Sequence, residues 1–210
     1  MDASLAIEHT PPGASRRRAW IGVISLGLGL TVAVWLFWRS RSAPASPVLF
    51  SLPAFSLVDE RGQPFGSAEL AGRPYVADFV YTSCHDACPM LTARMGELQD
   101  ALRRDPAAVQ LVTFTVDPAR DGPTQLAEYA RSARAIPGLW HFLTGPVGHV
   151  TSLLQDGFKV SMEGGPAGDV THDNHFVLVD ARGRIRGYFE ASPSGLRGIR
   201  SALKNLLLGD

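Results

Sequence analysis

Two cysteines, the only ones among 210 residues, stand four positions apart in "YTSCHDACPM", the stretch from Tyr81 to Met90. Thiolates attack disulfides and bind soft metal ions such as Cu(I) and zinc. If Cys84 and Cys88 share one helical turn, they lie about 6 Å apart on one face, which suits either chemistry. A purely structural disulfide is less favoured, because closing so short a loop removes little entropy from the unfolded chain.

A metal ion held by two cysteines needs at least one further ligand. The histidines that could supply it are His85, His141, His149, His172 and His175. His141 and His149 lie in apolar surroundings, where a structural role is the better interpretation. His172 and His175 precede a predicted strand, and in a thioredoxin fold the loop before this strand packs against the cysteine motif. Thioredoxin-like oxidoreductases place a proline in that loop, whereas this sequence offers two histidines.

The elements that must position these groups follow from the hydrophobic periodicity. Strands are predicted at 54–58, 63–65, 75–81, 109–116, 140–143, 176–180 and 185–189, and helices over 90–104, 121–133, 147–155 and 196–208. Asp121 is predicted to cap its helix. Strands alternate with helices before a final hairpin and helix, so we predict an α/β fold with a thioredoxin-like mixed sheet flanked by helices. Cys84 then follows a central strand, at the edge where sites of open α/β sheets gather.

Asp78 lies inside this central apolar strand, six residues before Cys84. Thioredoxins carry a buried aspartate at the same offset, where it can relay protons during disulfide exchange. Burial raises the pKa of a carboxyl group and would prepare it for that role. An aspartate that pairs with a neighbouring donor for purely structural reasons is an equally good interpretation.

An uncharged run of 20 residues, "AWIGVISLGLGLTVAVWLFW", has tryptophans at both ends. Its length as a helix is roughly 30 Å, the thickness of a bilayer's hydrocarbon core, and tryptophan favours the interfaces. We therefore predict a cytoplasmic tail (1–18), a transmembrane helix (19–38), a linker (39–50) and a folded domain (51–210). A cleaved signal peptide with a site at Ala43-Pro44-Ala45 is the alternative, although the apolar run is long for one.

The charges favour a folded domain outside the cytoplasm and no nucleic-acid partner. Three arginines precede the apolar run and two follow it, a bias that favours a cytoplasmic N-terminus. The residues after the linker carry a net charge of −3. Nucleic-acid binding would require a basic face, so we expect none.

Five stretches together resemble the Sco/SenC family of membrane-anchored copper proteins. They are "FVYTSCHDACPMLT", "FTVDPARDGPTQLAEYA", "WHFLTG", "GFKV" and "THDNHFVLVDARGRIRGYF", and the resemblance runs from about Phe55 to the C-terminus. It implies a thioredoxin-fold domain that binds one copper through C-x-x-x-C-P and a distal histidine. Carried over to this chain, the metal ligands are Cys84, Cys88 and His172, with His175 as the alternative. The family commonly has a proline after the first cysteine, where this chain has His85.

The resemblance also implies a partner and a location. Family members are implicated in delivering copper to the CuA centre of cytochrome c oxidase subunit II, or in reducing the cysteines of that subunit. We expect Cu(I) as the bound ion, Cu(II) as a second state, and other copper carriers or thiol reductases as further partners. The expected location is the cell inner membrane, with a single span and the domain in the periplasm.

Three functional classes therefore stand beside one another. A copper metallochaperone depends on His172, whereas a thiol–disulfide reductase depends on Cys84 and Cys88, with Asp78 as a candidate proton relay. A peroxiredoxin-like peroxidase is the least favoured, because only the tripeptide "TSC" supports it. Zinc in place of copper is open from the residues alone, since two cysteines, one histidine and water form a known zinc pattern.

Overall fold

The computed structural model describes residues 47–84, 87–104, 108–160 and 174–209. All of them belong to the compact unit Ala45–Asp210. The predicted tail, the predicted transmembrane helix, most of the linker and two of the candidate histidines, His85 and His172, lie outside these ranges. Within them, no helix combines the length and the hydropathy that a membrane span requires.

Eight strands and five α-helices make up the described part of the chain. The strands are β1 (Phe50–Ser51), β2 (Ser56–Asp59), β3 (Pro64–Gly66), β4 (Tyr75–Val80), β5 (Gln110–Thr115), β6 (Trp140–Thr144), β7 (His175–Val179) and β8 (Arg184–Glu190). The helices are α1 (Ser67–Leu70), α2 (Ala87–Leu102), α3 (Pro123–Ser132), α4 (Val147–Ser152) and α5 (Pro193–Gly209). A π-helical turn, Leu153–Gly157, continues α4.

The strands form one mixed sheet in the order β1-β8-β7-β4-β5-β6-β2-β3. β4 pairs in parallel with β5, and β5 in parallel with β6, across the connections that contain α2 and α3. β7 lies antiparallel on the other side of β4. This is the predicted thioredoxin-like arrangement, and it places the carboxyl ends of three neighbouring parallel strands at one edge.

The two faces of the sheet carry separate apolar cores. Helices α2, α3 and α5 cover one face through Leu91, Leu126 and Ile199, which pack on strand residues such as Val76 and Phe176. Helix α4 and the chain after it cover the other face, which holds Phe79, Phe114 and Phe158 among its residues. Alternate residues of β4 and β5 therefore point to opposite cores, as the period of two in a strand requires.

The structure differs from the sequence-based boundaries in ways that have local causes. The chain also forms the short β1 and α1, which are too brief to give a periodic signal. Helix α2 begins at Ala87 rather than 90, so that Cys88 lies in its first turn. Helix α5 begins at Pro193 rather than 196, since proline is favoured in a first turn.

The prediction that Asp121 caps its helix is wrong. The N-cap of α3 is Gly122, and no side chain caps this helix. The Asp121 carboxylate instead accepts hydrogen bonds from Thr82 and Thr115. Asp121 thus connects the loop before α3 to the chain before Cys84, which the sequence offered no local reason to expect.

Candidate metal centre

Cys84 and Cys88 lie at the carboxyl end of β4, where the chain turns into α2. A turn closed by a hydrogen bond from the Cys84 amide to the carbonyl oxygen of Tyr81, 3.2 Å long, follows the strand. Cys88 is the second residue of α2, and Pro89 follows it. Proline costs little there, because the amides of a first helical turn have no partner within the helix.

Both cysteines are buried, with exposed fractions of 7% for Cys84 and 0% for Cys88, and no disulfide joins them. The backbone amide of Cys88 donates to Cys84 Sγ over 3.4 Å. An amide at a helix N-terminus stabilises negative charge on an acceptor, and a sulfur bound to a metal carries such charge. The two sulfurs are therefore held together in a water-poor site whose soft donors fit Cu(I) better than a hard cation.

Cys88 is held as a thiol in the metal-free protein. Burial, the hydrogen bond with Cys84 and the nearby charges of Cys84 and Asp78 raise its pKa to about 12. The helix N-terminus predicts a lowered pKa instead, and for this sulfur burial outweighs that effect. A base or an incoming metal ion must remove the proton before Cys88 can react or coordinate.

Asp78 lies under α2, on the same face of β4 as Val76 and Val80. Its side chain is wholly buried, and burial raises its pKa to about 7, although a hydrogen bond from Thr113 opposes the shift. Thr113 Oγ1 donates to Asp78 Oδ1 over 2.5 Å and accepts from Trp140 Nε1 over 2.8 Å. Asp78 Oδ2 has no hydrogen-bond partner among the described residues. The carboxyl is thus positioned to exchange a proton near neutral pH.

Tyr129 and Thr92 close the side of the site that faces α3. The ring of Tyr129 packs against the small cluster formed by Val80, Cys84 and Cys88. Its hydroxyl shares a hydrogen bond of 2.6 Å with Thr92 Oγ1. Burial, followed by the negative charges of Asp78 and the two cysteines, raises the pKa of Tyr129, so this hydroxyl stays neutral.

The described histidines fall in three different places, and none adjoins Cys88. His175 begins β7 and lines a cavity with Phe79, Lys159 and Tyr188, on the sheet face opposite α2. His141 is buried and stacks on the Phe65 ring, with Gln110 as a hydrogen-bond partner, whereas His149 is exposed on α4. The candidate ligand His172 remains a prediction, because it lies outside the described residues.

Sequence reasoning did not identify the contact between Asp121 and Thr82, which holds the chain directly before Cys84. Asp121 accepts three hydrogen bonds, from the amide and the hydroxyl of Thr82 and from the hydroxyl of Thr115. Thr82 stands two residues before Cys84 and 39 residues before Asp121. The only available sequence signal was the position of Asp121 after a strand that runs parallel to β4.

A second group of potential metal ligands lies elsewhere in the sheet. Oxygen or nitrogen atoms of Asp59, Glu60 and His141 come within 4.8 Å of one another. Asp59, however, already accepts hydrogen bonds from the Arg61 guanidinium and from the amides of Arg61 and Gln63. Glu60 accepts from the amide of Phe142 on β6. We therefore interpret the group as a structural network that joins the β2–β3 hairpin to β6.

Comparison with known proteins identifies the family. The model of the SCO1/SenC family matches residues 48–207. A curated relative, the SCO1 protein homolog of Bacillus subtilis, is 30% identical over 142 residues, which are 66% of this chain and 73% of the relative. Among solved structures, BsSco superposes with a TM-score of 0.68 at 26% identity, covering 77% of this chain and 95% of BsSco. It is described as a member of the Sco family of cytochrome c oxidase assembly proteins with a disulfide switch.

A second solved structure, ScoI of Bradyrhizobium japonicum with copper bound, has a TM-score of 0.63 and 25% identity. The superposition covers 75% of this chain and 99% of the ScoI chain. The family match covers the two cysteines, the strands that position them and all five helices of the described chain. This chain is a member of the SCO1/SenC family.

Proposed function

We propose that the chain is a membrane-anchored copper metallochaperone that binds one copper ion through Cys84, Cys88 and His172 and delivers it to the CuA site of cytochrome c oxidase subunit II. The observation that carries the proposal is a pair of buried cysteines, not joined by a disulfide, in which the Cys88 amide donates a hydrogen bond to Cys84 Sγ. Copper-bound ScoI and the assembly role given for BsSco support both the cargo and the destination.

Two thiolates and one imidazole form a soft donor set of low coordination number that suits Cu(I). We propose Cu(I) as the delivered form, with Cu(II) as a second state of the same site. Cys84 is 7% exposed and lies before α2, whereas Cys88 is 0% exposed within that helix. An incoming ligand of the acceptor therefore reaches the metal from the Cys84 side, and copper can pass by stepwise ligand substitution.

A titration of the full chain in detergent micelles with Cu(I), against a chromophoric chelator and without oxygen, tests this proposal. We expect one Cu(I) per chain, loss of tight binding in Cys84→Ser and Cys88→Ser, and weaker binding in His172→Ala. His175→Ala should bind like the unmodified protein, because His175 lies on the sheet face opposite α2.

The matched control is His149→Ala, which removes an exposed histidine from α4. It should leave both the stoichiometry and the affinity unchanged. Tight binding that survives the loss of both cysteines would refute the copper proposal. Loss of binding in His175→Ala together with normal binding in His172→Ala would transfer the third ligand to His175.

The second candidate is a thiol–disulfide reductase that keeps the CuA-site cysteines of subunit II reduced. Asp78 favours it, since a buried carboxyl with a pKa of about 7 lies close enough to Cys88 to affect its pKa. The Cys84 thiolate would attack the target disulfide and form a mixed disulfide. Cys88 would then attack Cys84 Sγ, pass its proton to Asp78 and release the reduced target. One disulfide forms in this chain while one is broken in the target, and two electrons pass to the target.

Reduction of a peptide that carries the two CuA-site cysteines as a disulfide separates the two candidates. Reductase activity should survive His172→Ala and should disappear in Cys84→Ser and in Cys88→Ser. Asp78→Asn should slow release of the mixed disulfide near neutral pH, because the side chain can no longer accept a proton. Equal activity of Asp78→Asn and the unmodified chain would exclude the proton relay.

The proposed location is the inner membrane, with residues 19–38 as a single span and the folded domain in the periplasm. The charge bias around the apolar run supports this orientation. When membranes isolated from the cells are extracted with alkaline carbonate, the chain should stay in the membrane fraction. Protease added to spheroplasts should digest the domain; protection of the domain in spheroplasts would reverse the proposed orientation.

A further inference from the structure

We propose that Asp121 is a positioning residue of the copper centre and that it acts through Thr82 on Cys84. The inference rests on the proposed copper-binding function and extends it to a residue that does not touch the metal. Its basis is a set of three hydrogen bonds to one carboxylate: two come from Thr82, directly before the first cysteine, and one comes from Thr115 at the end of β5.

Both oxygens of the Asp121 carboxylate accept hydrogen bonds from Thr82. Thr82 N donates to Oδ2 over 3.0 Å, and Thr82 Oγ1 donates to Oδ1 over 2.5 Å. Hydrogen bonds to an ionised carboxylate are stronger and shorter than those between neutral groups. Asp121 is only 1% exposed, so water does not compete for these bonds.

Asp121 itself is held from the next strand. Thr115 Oγ1, at the end of β5, donates to Asp121 Oδ2 over 2.6 Å and accepts from the Asp117 amide over 3.0 Å. The Asp121 amide donates to the Asp117 carbonyl over 2.9 Å. The residue that holds the chain before Cys84 is therefore itself bonded to the end of β5, the strand that pairs with β4.

The consequence for the metal centre follows from chain length. Only Ser83 separates Thr82 from Cys84, and the turn from Tyr81 to Cys84 closes over the same residues. Cys88 is fixed independently by α2, so the position of Cys84 relative to Cys88 depends on where Thr82 is held. Without the anchor, Cys84 Sγ samples more positions, and a metal ion that requires both sulfurs binds less tightly and leaves faster.

The test compares Asp121→Asn, Thr82→Val and Thr82→Ser in the full chain in detergent micelles. Two properties are measured: the Cu(I) dissociation constant by competition, and the alkylation rate of Cys84 in the metal-free protein by mass spectrometry. Mutation of a residue that hydrogen-bonds near a metal ligand typically lowers the metal affinity by roughly 10- to 100-fold. We expect about tenfold weaker Cu(I) binding in Asp121→Asn and Thr82→Val. Alkylation of Cys84 should be several-fold faster in both, and Thr82→Ser should restore both properties.

Asp180→Asn is the matched control, because Asp180 is also a buried aspartate that accepts from turn amides, at the Arg182 and Arg184 positions. It lies beside Tyr75 at the other end of β4 from the cysteines. This variant should lower the melting temperature yet keep the Cu(I) affinity and the Cys84 alkylation rate within about twofold.

Each outcome decides between the two proposals. If the unmodified chain binds Cu(I) through its cysteines and Thr82→Val and Asp121→Asn match it in both measurements, the positioning role is wrong and the copper function stands. If the unmodified chain shows no cysteine-dependent copper binding, the proposed function fails, while the alkylation rates still report on the anchor. Should Asp121→Asn fail to fold, Thr82→Val and Thr82→Ser alone decide.

Discussion

Asp78 and Asp180 are both buried aspartates, Asp78 in the carboxyl-terminal half of β4 and Asp180 beside its amino-terminal end, and their pKa values shift in opposite directions. Asp180 sits at the turn between β7 and β8, where backbone amides and the guanidinium groups of Arg184 and Arg186 surround it. These donors outweigh burial and lower its pKa. Asp78, near Cys88, has Thr113 as its side-chain donor, so burial prevails and raises its pKa to about 7.

The comparison shows that burial alone does not determine what a carboxyl group can do. A fully satisfied carboxylate such as Asp180 holds a turn and stays ionised at every physiological pH. An under-satisfied one such as Asp78 destabilises the fold when it ionises, and it is available for proton exchange where a thiol needs a base. The number of hydrogen-bond donors around each carboxyl therefore separates the structural role of Asp180 from the chemical role of Asp78.

The largest effect is expected from Asp180→Ala. It would leave the buried guanidinium of Arg186 without its carboxylate partner, which typically costs about 3–5 kcal/mol in the free energy of unfolding. Chemical denaturation of the metal-free chain at pH 7 measures this. Asp156→Ala, which removes an exposed carboxylate on the turn after α4, is the control and should change stability by no more than about 0.5 kcal/mol. A similar loss in the two variants would contradict our interpretation of Asp180.

Asp78→Asn should raise the free energy of unfolding at neutral and higher pH, whereas Asp180→Ala should lower it. The folded-state pKa of Asp78, about 7, exceeds its unfolded value of 3.8. The contribution of Asp78 to the free energy of unfolding is therefore most favourable below pH 4, where the carboxyl is protonated in both states. This contribution is lost as pH rises through 7. At pH 8 the asparagine variant should be more stable by up to about 4 kcal/mol, because about three pKa units separate the two states.

Denaturation curves from pH 4 to pH 8 measure this second effect. The advantage of Asp78→Asn should grow from pH 4 to about pH 7 and level off above that. For Asp180, whose pKa is lowered, the corresponding stability is lost only as pH falls below the unfolded value. An advantage of Asp78→Asn that is the same at pH 4 and pH 8 would mean that the buried carboxyl does not titrate in this range.

Thr113→Val should sharpen the comparison by a smaller amount. It removes the hydroxyl that donates to Asp78 Oδ1 and whose hydrogen bond lowers the pKa of Asp78. The pKa of Asp78 should rise further, and the free energy of unfolding at high pH should fall by about 1.5 kcal/mol, a typical value for a hydrogen bond to a charged group. The midpoint of the pH–stability curve reports it, and the double variant Thr113→Val with Asp78→Asn should show no midpoint at all.

The smallest effect is expected at an exposed charge near the same edge of the sheet. Arg120 is 73% exposed and pairs with Asp117 over 2.6 Å in the turn before α3. Exposed ion pairs are typically worth about 1 kcal/mol or less. Arg120→Ala should therefore leave both thermal stability and Cu(I) affinity nearly unchanged. A tenfold loss of copper affinity in this variant would show that charge at the edge, not only the anchor at Asp121, controls the site.

Much of the fold was predictable because its signals are local. The run from Tyr75 to Val80 is apolar and β-branched apart from Asp78, and it is the central strand of the sheet. Leu91, Met95 and Leu98 recur at helical spacing and are all buried in α2. The boundaries were less accurate, since the first turns at Ala87 and Pro193 carry no periodic apolar residues that would mark them.

The candidate site was predictable only in part. Cys84 and Cys88 are close in sequence, so helical geometry alone brings them together. His175 was the alternative to His172 in the sequence, and only the strand that it begins places it on the sheet face opposite α2. Asp121 was predicted as a helix cap because aspartate commonly caps helices, whereas its actual partner, Thr82, is 39 residues away.

The sequence by itself determined the spacing of the sulfur pair, the order of strands and helices, and the family, because each depends on residue types at short spacing. The tertiary structure alone decided which groups surround those sulfurs. The carboxylate of Asp121 reaches Thr82, and Asp78 has Thr113 as a donor to only one of its two oxygens, because β4 and β5 run parallel under α2. A pKa or a metal-site geometry depends on distances across the sheet, and residues far apart in the chain set those distances only when it folds.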